Sequence, residues 1–214
     1  GEIWPVCEKL RWTIRHGAKH LRPERVPSGL LLHKKAWIEF PPRGVIGVIC
    51  PWNYPFQNIF GPTIPALMAG NAVVVKASEW TAWSSRGFQR IFDGLFSAAG
   101  LSPDLVRIVN GFAPTGRALA VADVDLIVFT GSVENGREVL RAAAEKLTPV
   151  ILELGGKDPL IVCDDADLEQ SVHAALNGVF INAGQNCMAA ERVLVLDGIY
   201  DAFERRVVAL TRAL

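Results

Sequence analysis

The chain reads Val45-Ile46-Gly47-Val48-Ile49-Cys50 in its first long apolar run, and a helical pattern follows it. Near-continuous apolar runs of this length are typical of strands that are covered on both faces. Six more such runs lie at 72–76, 105–109, 125–129, 149–154, 159–163 and 192–196. Helical patterns alternate with them, at 6–21, 56–69, 81–98, 115–122, 133–147, 166–182 and 200–214. This alternation predicts an α/β fold with a doubly wound parallel sheet of the Rossmann-like, nucleotide-binding class.

Four regions follow from this pattern and from the positions of proline and glycine. Residues 1–22 form a helix that belongs to the nucleotide-binding domain, and residues 43–153 form the core of that domain. Residues 154–214 begin a second α/β domain. Prolines and a glycine bracket the extended segment 23–42, which is either an edge strand or an arm that pairs elsewhere.

Charge and composition limit the classes of partner. The 214 residues carry 22 basic and 22 acidic side chains, and the basic residues are scattered. Nucleic acids and anionic membranes select clustered Lys and Arg, so neither is expected as a partner. No apolar run approaches the ~20 residues of a membrane span, and the start carries no signal-peptide pattern. We therefore expect a cytoplasmic protein, and both ends resemble the interior of a longer chain.

The four cysteines are Cys7, Cys50, Cys163 and Cys187, and they show neither C-x-x-C spacing nor a histidine at metal-ligand distance. No metal site is predicted. Cys50 and Cys163 fall in apolar strands and Cys7 in a helix, where a packed, unreactive thiol is expected. Cys187 lies instead in the polar turn Gly184-Gln185-Asn186-Cys187, where backbone N–H groups can stabilise a thiolate. Cys187 is therefore the candidate nucleophile.

A glutamate closes an apolar strand in the run Glu153-Leu154-Gly155-Gly156-Lys157. A carboxylate among apolar neighbours holds a proton more readily than one in water, which suits a general base near neutral pH. The alternative interpretation is a strand-end acid that pairs with Lys157. Together with Cys187, Glu153 supplies the two groups that are needed to form and break a thioester.

Three further segments follow buried strands and favour a ligand site, each with a simpler alternative. The lysine and glutamate of Lys76-Ala77-Ser78-Glu79 can bind sugar hydroxyls, or can form a solvated ion pair. The strand-to-helix turn Gly131-Ser132 can bind an anion at the helix start, or can be a plain cap. The asparagine of Pro51-Trp52-Asn53-Tyr54-Pro55 can donate to an oxyanion, or can satisfy its own turn.

Taken together and in this order, these segments resemble the NAD(P)-dependent aldehyde dehydrogenase superfamily over essentially the whole chain. Five motifs carry the resemblance: Pro51-Trp52-Asn53-Tyr54-Pro55, Lys76-Ala77-Ser78-Glu79, Phe129-Thr130-Gly131-Ser132, Glu153-Leu154-Gly155-Gly156-Lys157 and Gly184-Gln185-Asn186-Cys187. The resemblance implies that Cys187 is the nucleophile and Glu153 the base for deacylation. It places the oxyanion hole at the Asn53 side chain and the Cys187 backbone N–H. It also implies cofactor contacts at Ile49, Pro51, Trp52, Lys76, Ser78, Glu79, Gly131, Ser132 and Leu154.

The implied reaction is oxidation of an aldehyde to a carboxylic acid with NAD, through a cysteine thiohemiacetal and a thioester that activated water hydrolyses. Glu79 favours NAD over NADP, because a carboxylate repels a 2′-phosphate. The resemblance further implies a homodimer or homotetramer of the full-length protein that uses the arm at 23–42. Residues 154–214 match only the first part of the family's catalytic domain, so we expect residues 1–214 alone to be inactive.

Two alternatives stay open. An acylating, CoA-dependent semialdehyde dehydrogenase of the same fold would transfer the acyl group without activated water, and Glu153 argues against it. A non-catalytic dinucleotide-binding or scaffold protein would not need Cys187, Glu153 and Asn53 together.

Overall fold

The computed structural model describes residues 1–214 and follows the predicted alternation of strands and helices. The seven α-helices are α1 Ile3–His20, α2 Pro55–Met68, α3 Ala82–Ala99, α4 Ala113–Ala120, α5 Val133–Ala144, α6 Leu168–Phe180 and α7 Asp197–Thr211. The nine strands are β1 Glu24–Val26, β2 Ala36–Ile38, β3 Val45–Ile49, β4 Ala72–Lys76, β5 Val106–Val109, β6 Leu126–Gly131, β7 Val150–Leu154, β8 Asp158–Val162 and β9 Ala190–Val195. The chain divides into two compact units, Gly1–Glu153 and Leu154–Leu214.

The main sheet has five strands in the order β5-β4-β3-β6-β7. β3 pairs in parallel with β4 on one side and β6 on the other, so Ile49 lies opposite both Lys76 and Phe129. Strand order reverses at β3, because β4 and β5 extend the sheet one way and β6 and β7 the other. Ligands of open α/β sheets bind at the carboxyl ends of the strands where the order reverses. The doubly wound fold is confirmed, and its topology directs attention to the ends of β3, β4 and β6.

One face of this sheet carries the main hydrophobic core. The fully buried valines of β3 to β5 pack with phenylalanines from α2 and α3 in a single cluster. The Phe60 ring stacks on Phe56 at 4.3 Å and on Phe92 at 4.7 Å between ring centroids. Full burial of a side chain of this size contributes about 1.5–3 kcal/mol, so this cluster holds α2 and α3 firmly on the sheet.

Helix α2 presents two different faces. It begins with Pro55, whose fixed φ and missing N–H are tolerated at the first helical position. Its buried side chains are Ile59, Phe60, Thr63 and Ile64. The residues Gln57, Asn58, Gly61 and Pro62 border a cleft instead. One face of the helix therefore packs in the core, while another lines an open cleft.

The segment 23–42 forms a small hairpin-like pair rather than one continuous strand. β1 and β2 pair antiparallel, with Glu24 opposite Ile38. Leu30 and Leu32, between the two strands, are exposed. The role of this segment in subunit association stays a prediction. No helix of the chain combines the length and apolar character that crossing a bilayer requires.

The second unit, Leu154–Leu214, has its own small core. β8 and β9 pair in parallel, with Leu160 opposite Val193. Val162, Val172, Ala175 and Phe203 form the buried cluster under α6 and α7. The prediction that Cys163 is a packed strand residue is wrong. β8 ends at the buried Val162, and Cys163 is exposed in the turn that follows.

Candidate active site

Lys76 and Glu79 lie together at the carboxyl end of β4. Lys76 is the last residue of this strand and is only 6% exposed, although lysine is rarely buried. Its Nζ lies 3.3 Å from Glu79 Oε2. Lys76 and Glu79 therefore do form an ion pair, but the lysine side of it is buried rather than solvated. A buried ammonium of this kind needs partners that satisfy its charge and its donors.

The turn after β4 fixes the carboxylate of Glu79. Ser78 caps the short helical turn that begins at Glu79, and its Oγ accepts from the backbone N–H of Trp80 at 3.4 Å. The pKa of the Glu79 carboxyl is lowered, chiefly by a hydrogen bond from its own backbone N–H. Lys76 and Ser78 lower it further, while burial acts in the opposite sense. Glu79 is therefore an anion at neutral pH and can accept hydrogen bonds from hydroxyl groups.

A cleft of about 490 Å³ opens where β3, β4 and β6 end. Its floor contains Ile49, Lys76 and Phe129, one from each strand. Glu79 stands at the cleft as well, and α4 and α5 supply the remaining walls through Ala113, Pro114, Gly116, Arg117, Ala120, Asn135, Glu138, Val139 and Ala142. Four sequence-predicted features thus meet here: the strand ends, Ile49, Lys76 and Glu79.

The residues of this cleft fit a dinucleotide. Aliphatic side chains such as Val139 and Ile49 offer apolar surface for a flat base, and Glu79 beside Lys76 offers an acceptor and donors for sugar hydroxyls. Sugar hydroxyls both donate and accept, so an oppositely charged pair suits them better than either charge alone. The volume of about 490 Å³ lies within the range of ordinary small-molecule sites.

The turn between β6 and α5 contains Gly131 and Ser132. A side chain at position 131 would approach the Phe129 ring to 2.7 Å, so glycine allows the ring to lie over the strand end. Ser132 Oγ accepts from the backbone N–H of Asn135 at 3.2 Å and thus caps α5. This is the geometry of the simpler alternative, a helix cap. Anion binding by this turn stays a prediction.

Asn53 follows β3 in the turn that leads to α2, and its side chain is half-buried. Its Oδ1 accepts from Asn58 Nδ2 at 3.4 Å. Asn58 is itself held by its backbone, because its carbonyl accepts from the Cys50 thiol at 3.0 Å. Asn58 belongs to none of the five motifs. Only its position one turn into α2 could have indicated that its side chain contacts Asn53. Of the two residues before Asn53, Pro51 is half-buried and Trp52 is exposed.

Glu153 lines a second cleft in the first unit, with a volume of about 500 Å³. This cleft lies between the first two helices and the ends of β6 and β7. Its lining is Pro5, Val6, Lys9, Gln57, Asn58, Gly61, Pro62, Val128, Thr130, Ile151 and Glu153. The Glu153 side chain is exposed, so the apolar enclosure that its leucine neighbours suggested is not formed. Alternation along β7 directs those leucines to the opposite face.

Lys157 pairs with a different acid from the one that the sequence suggested. Its Nζ lies 2.9 Å from Glu191 Oε2, and both residues belong to the second unit. The backbone carbonyl of Lys157 also accepts from Arg192 Nε at 3.1 Å. These contacts tie the start of β8 to β9. The alternative in which Glu153 serves only as the partner of Lys157 therefore loses its support.

Cys187 lies in the second unit, in the loop between α6 and β9, and is exposed. Asn186 organises the turn around it, because Asn186 Oδ1 accepts from the Met188 N–H at 3.1 Å. The same oxygen lies 3.7 Å from Cys187 Sγ. Asn182, Ala183 and Gly184 all have positive φ just before this turn. Alanine rarely adopts that conformation, so the backbone here is strained, as is common near functional groups.

The predicted residues thus fall into separate groups. Ile49, Lys76 and Glu79 share the first cleft, and Glu153 lines the second cleft of the same unit. Leu154, half-buried at the end of β7, and the exposed Cys187 belong to the second unit. Sequence reasoning missed the cleft-lining residues Asn58, Gly61, Arg117 and Glu138. They lie inside helices, where polar side chains and single glycines give no signal that separates a ligand wall from a solvated face.

Comparison with known proteins agrees with this architecture. A model of the aldehyde dehydrogenase family matches residues 1–214. An aldehyde dehydrogenase-like protein of Schizosaccharomyces pombe is 43% identical over 203 residues, which cover 94% of this chain and 39% of that protein.

Two solved structures give the same result. Lactaldehyde dehydrogenase from Escherichia coli superposes with a TM-score of 0.90 at 36% identity, covering 98% of this chain and 43% of that chain. PnpE in complex with nicotinamide adenine dinucleotide superposes with a TM-score of 0.81 at 36% identity, covering 90% and 39%. The chain therefore spans about two fifths of the length of these proteins.

Proposed function

This chain belongs to the aldehyde dehydrogenase family, and from that premise we propose that it carries the NAD site and the nucleophile of an enzyme that oxidises an aldehyde to a carboxylic acid. The observation that carries the proposal is the buried Lys76 beside Glu79 at the strand ends of a doubly wound sheet. Burial of a charged group destabilises the folded protein, and charged groups that are buried in a cleft are often the ones that bind a ligand or take part in a reaction.

Lys76 and Glu79 would hold the ribose nearest the adenine, and Ile49 with the aliphatic wall of the first cleft would contact the base. Pro51, Trp52, Ser78, Gly131, Ser132 and Leu154 are the further cofactor contacts that we assign. The nicotinamide ring of the bound cofactor supplies the hydride acceptor.

Cys187 is the group that we assign to attack. Its thiolate adds to the aldehyde carbon, a C–S bond forms, and the carbonyl electron pair moves onto oxygen. The oxyanion accepts hydrogen bonds from the Asn53 side chain and from the Cys187 backbone N–H. Asn58 supports this role. Its Nδ2 donates to Asn53 Oδ1, so the amide oxygen of Asn53 faces Asn58 and the amide NH₂ group of Asn53 faces away from it.

Glu153 is assigned to the second half of the reaction. After oxidation the acyl group is held on Cys187 as a thioester. Glu153 takes a proton from water, the hydroxyl adds to the thioester carbon, and the Cys187 thiolate leaves as the acid is released. Exposure of Glu153 to the second cleft supports access of water to this carboxylate.

Thiol labelling tests the assignment of Cys187. With iodoacetamide at pH 7.5, we expect the Cys187 peptide to react about tenfold faster than the Cys163 peptide, by mass spectrometry of the full-length protein. Cys163 is the matched control, because it is also an exposed cysteine of the second unit. Cys50 should stay unlabelled, because burial raises the pKa of its thiol to about 12 despite the nearby Lys76 cation. Equal rates at Cys163 and Cys187 would contradict the assignment.

The Glu79→Gln substitution tests the preference for NAD. We expect the ratio of kcat/KM with NAD to kcat/KM with NADP to fall about tenfold or more, because the anion that repels a 2′-phosphate is removed. Glutamine keeps an oxygen that can accept from Lys76, so the melting temperature should change little. Glu138→Gln is the control, since Glu138 lines the same cleft from α5. An unchanged ratio in Glu79→Gln, or an equal change in both variants, would show that Glu79 does not select the cofactor.

A further inference from the structure

We propose that Gly61 sets the width of the second cleft and thereby selects aldehydes with a bulky, mainly hydrocarbon skeleton. This inference rests on the proposed function, because it takes Glu153 as the base that activates water beside the bound acyl group. It goes beyond that function by naming a substrate class and the position that selects it.

The second cleft is lined by apolar side chains together with the polar Lys9, Gln57, Asn58, Thr130 and Glu153, so it suits a molecule with a polar reactive end and a carbon skeleton. Glu153 and Thr130 lie on its sheet side, and both carry oxygens. Val6, Pro62, Val128 and Ile151 supply apolar surface to the same space. A volume of about 500 Å³ exceeds what a two- or three-carbon aldehyde would fill. The remaining space suits the carbon skeleton of a larger one.

Gly61 has no evident structural reason to be glycine. It lies inside α2, where glycine is less favourable than every other residue except proline. Its φ is not in the left-handed region, and a Cβ built on it would meet no atom within 4 Å. Gly17 differs, because a Cβ there would approach the Met68 side chain to 2.8 Å. Neither backbone conformation nor close packing therefore requires glycine at position 61.

What glycine provides at position 61 is open space in the cleft that Glu153 also lines. Gly61 lines the cleft, and the region that its Cβ would enter is empty of protein atoms. A leucine at this position would occupy part of the cleft that a substrate skeleton would otherwise fill. A small aldehyde would still fit the narrowed cleft, whereas a bulky one would be excluded, because hydrophobic sites discriminate by volume.

The test compares propanal with cinnamaldehyde in the full-length protein, by following reduced cofactor at 340 nm. We expect Gly61→Leu to lower kcat/KM for cinnamaldehyde relative to propanal about tenfold or more, mainly through KM, with Gly61→Ala in between. Gly94→Leu is the matched control, because Gly94 is also a helical glycine with no neighbour within 4 Å but lies outside both clefts. It should leave the ratio within about twofold.

The outcomes separate this inference from the function on which it rests. An unchanged ratio in Gly61→Leu, in a protein that oxidises both aldehydes, would overturn the role of Gly61 and leave the proposed function intact. A shift of the same size in Gly94→Leu would also overturn the role of Gly61, because any leucine that replaces a helical glycine would then change the ratio. A wild-type protein that oxidises neither aldehyde nor any other would overturn the proposed function and this inference together.

Discussion

Replacing Cys187 by serine is expected to lower kcat for aldehyde oxidation by at least about 10³-fold while NAD binding stays within about twofold of wild type. A hydroxyl is far less acidic than a thiol, so the variant loses its nucleophile at neutral pH. The cofactor residues assigned around Lys76 and Glu79 belong to the first unit, whereas Cys187 belongs to the second. Steady-state formation of reduced cofactor gives kcat, and isothermal titration calorimetry gives the affinity for NAD.

Cys163→Ser is the control for that experiment, because it makes the same chemical change at another exposed cysteine of the same unit. It should retain wild-type kcat. Substantial activity in Cys187→Ser would remove the covalent mechanism. A matching loss in Cys163→Ser would assign the effect to folding of the second unit, and thermal unfolding of both variants would then show a common decrease.

Replacing Glu153 by glutamine is expected to separate the two halves of the reaction. A burst of reduced cofactor equivalent to about one turnover should remain, while the later steady rate falls about 10²–10⁴-fold, the usual contribution of a general base. The reason is that glutamine keeps the size of the side chain but cannot take a proton from water. Stopped-flow absorbance at 340 nm resolves the burst from the steady rate.

Glu145→Gln provides the comparison, because Glu145 is an exposed acid of the first unit that lines neither cleft. Both phases should be unchanged in that variant. Loss of the burst in Glu153→Gln would show that Glu153 acts before or during acylation rather than in hydrolysis. Unchanged steady turnover would instead assign deacylation to another group.

The fold could be predicted well because its signals are local. β3, β4 and β6 are nearly continuous apolar runs, and each is followed by a helix. This pattern is typical of a parallel sheet that helices cover on both faces. The lateral order of the strands is not a local property. It depends on which runs pair across the sheet, and only the structure shows that β3 lies between β4 and β6.

The positions of the candidate residues along the chain could be read from the sequence, whereas their surroundings could not. Lys76 and Glu79 were identifiable from their position after a strand, yet the burial of Lys76 results from walls contributed by distant helices. For Cys163 the predicted environment was wrong. Its apolar neighbours suggested a core residue, but β8 ends one residue earlier, at Val162, and Cys163 is exposed. Gly61 was missed, because a glycine inside a helical pattern is read as a local cost rather than as a wall of a cleft.

The two faces of α2 have a consequence for how such a protein can change over generations. Ile59, Phe60, Thr63 and Ile64 are buried, so substitutions at these positions threaten the fold itself. Gln57 and Gly61, on the same helix, line the second cleft, so substitutions at these two positions leave the packed cluster untouched. Mutation at positions 57 and 61 can therefore reshape the cleft while selection preserves the buried face, and a directed-evolution library confined to these two positions should retain a high fraction of folded members.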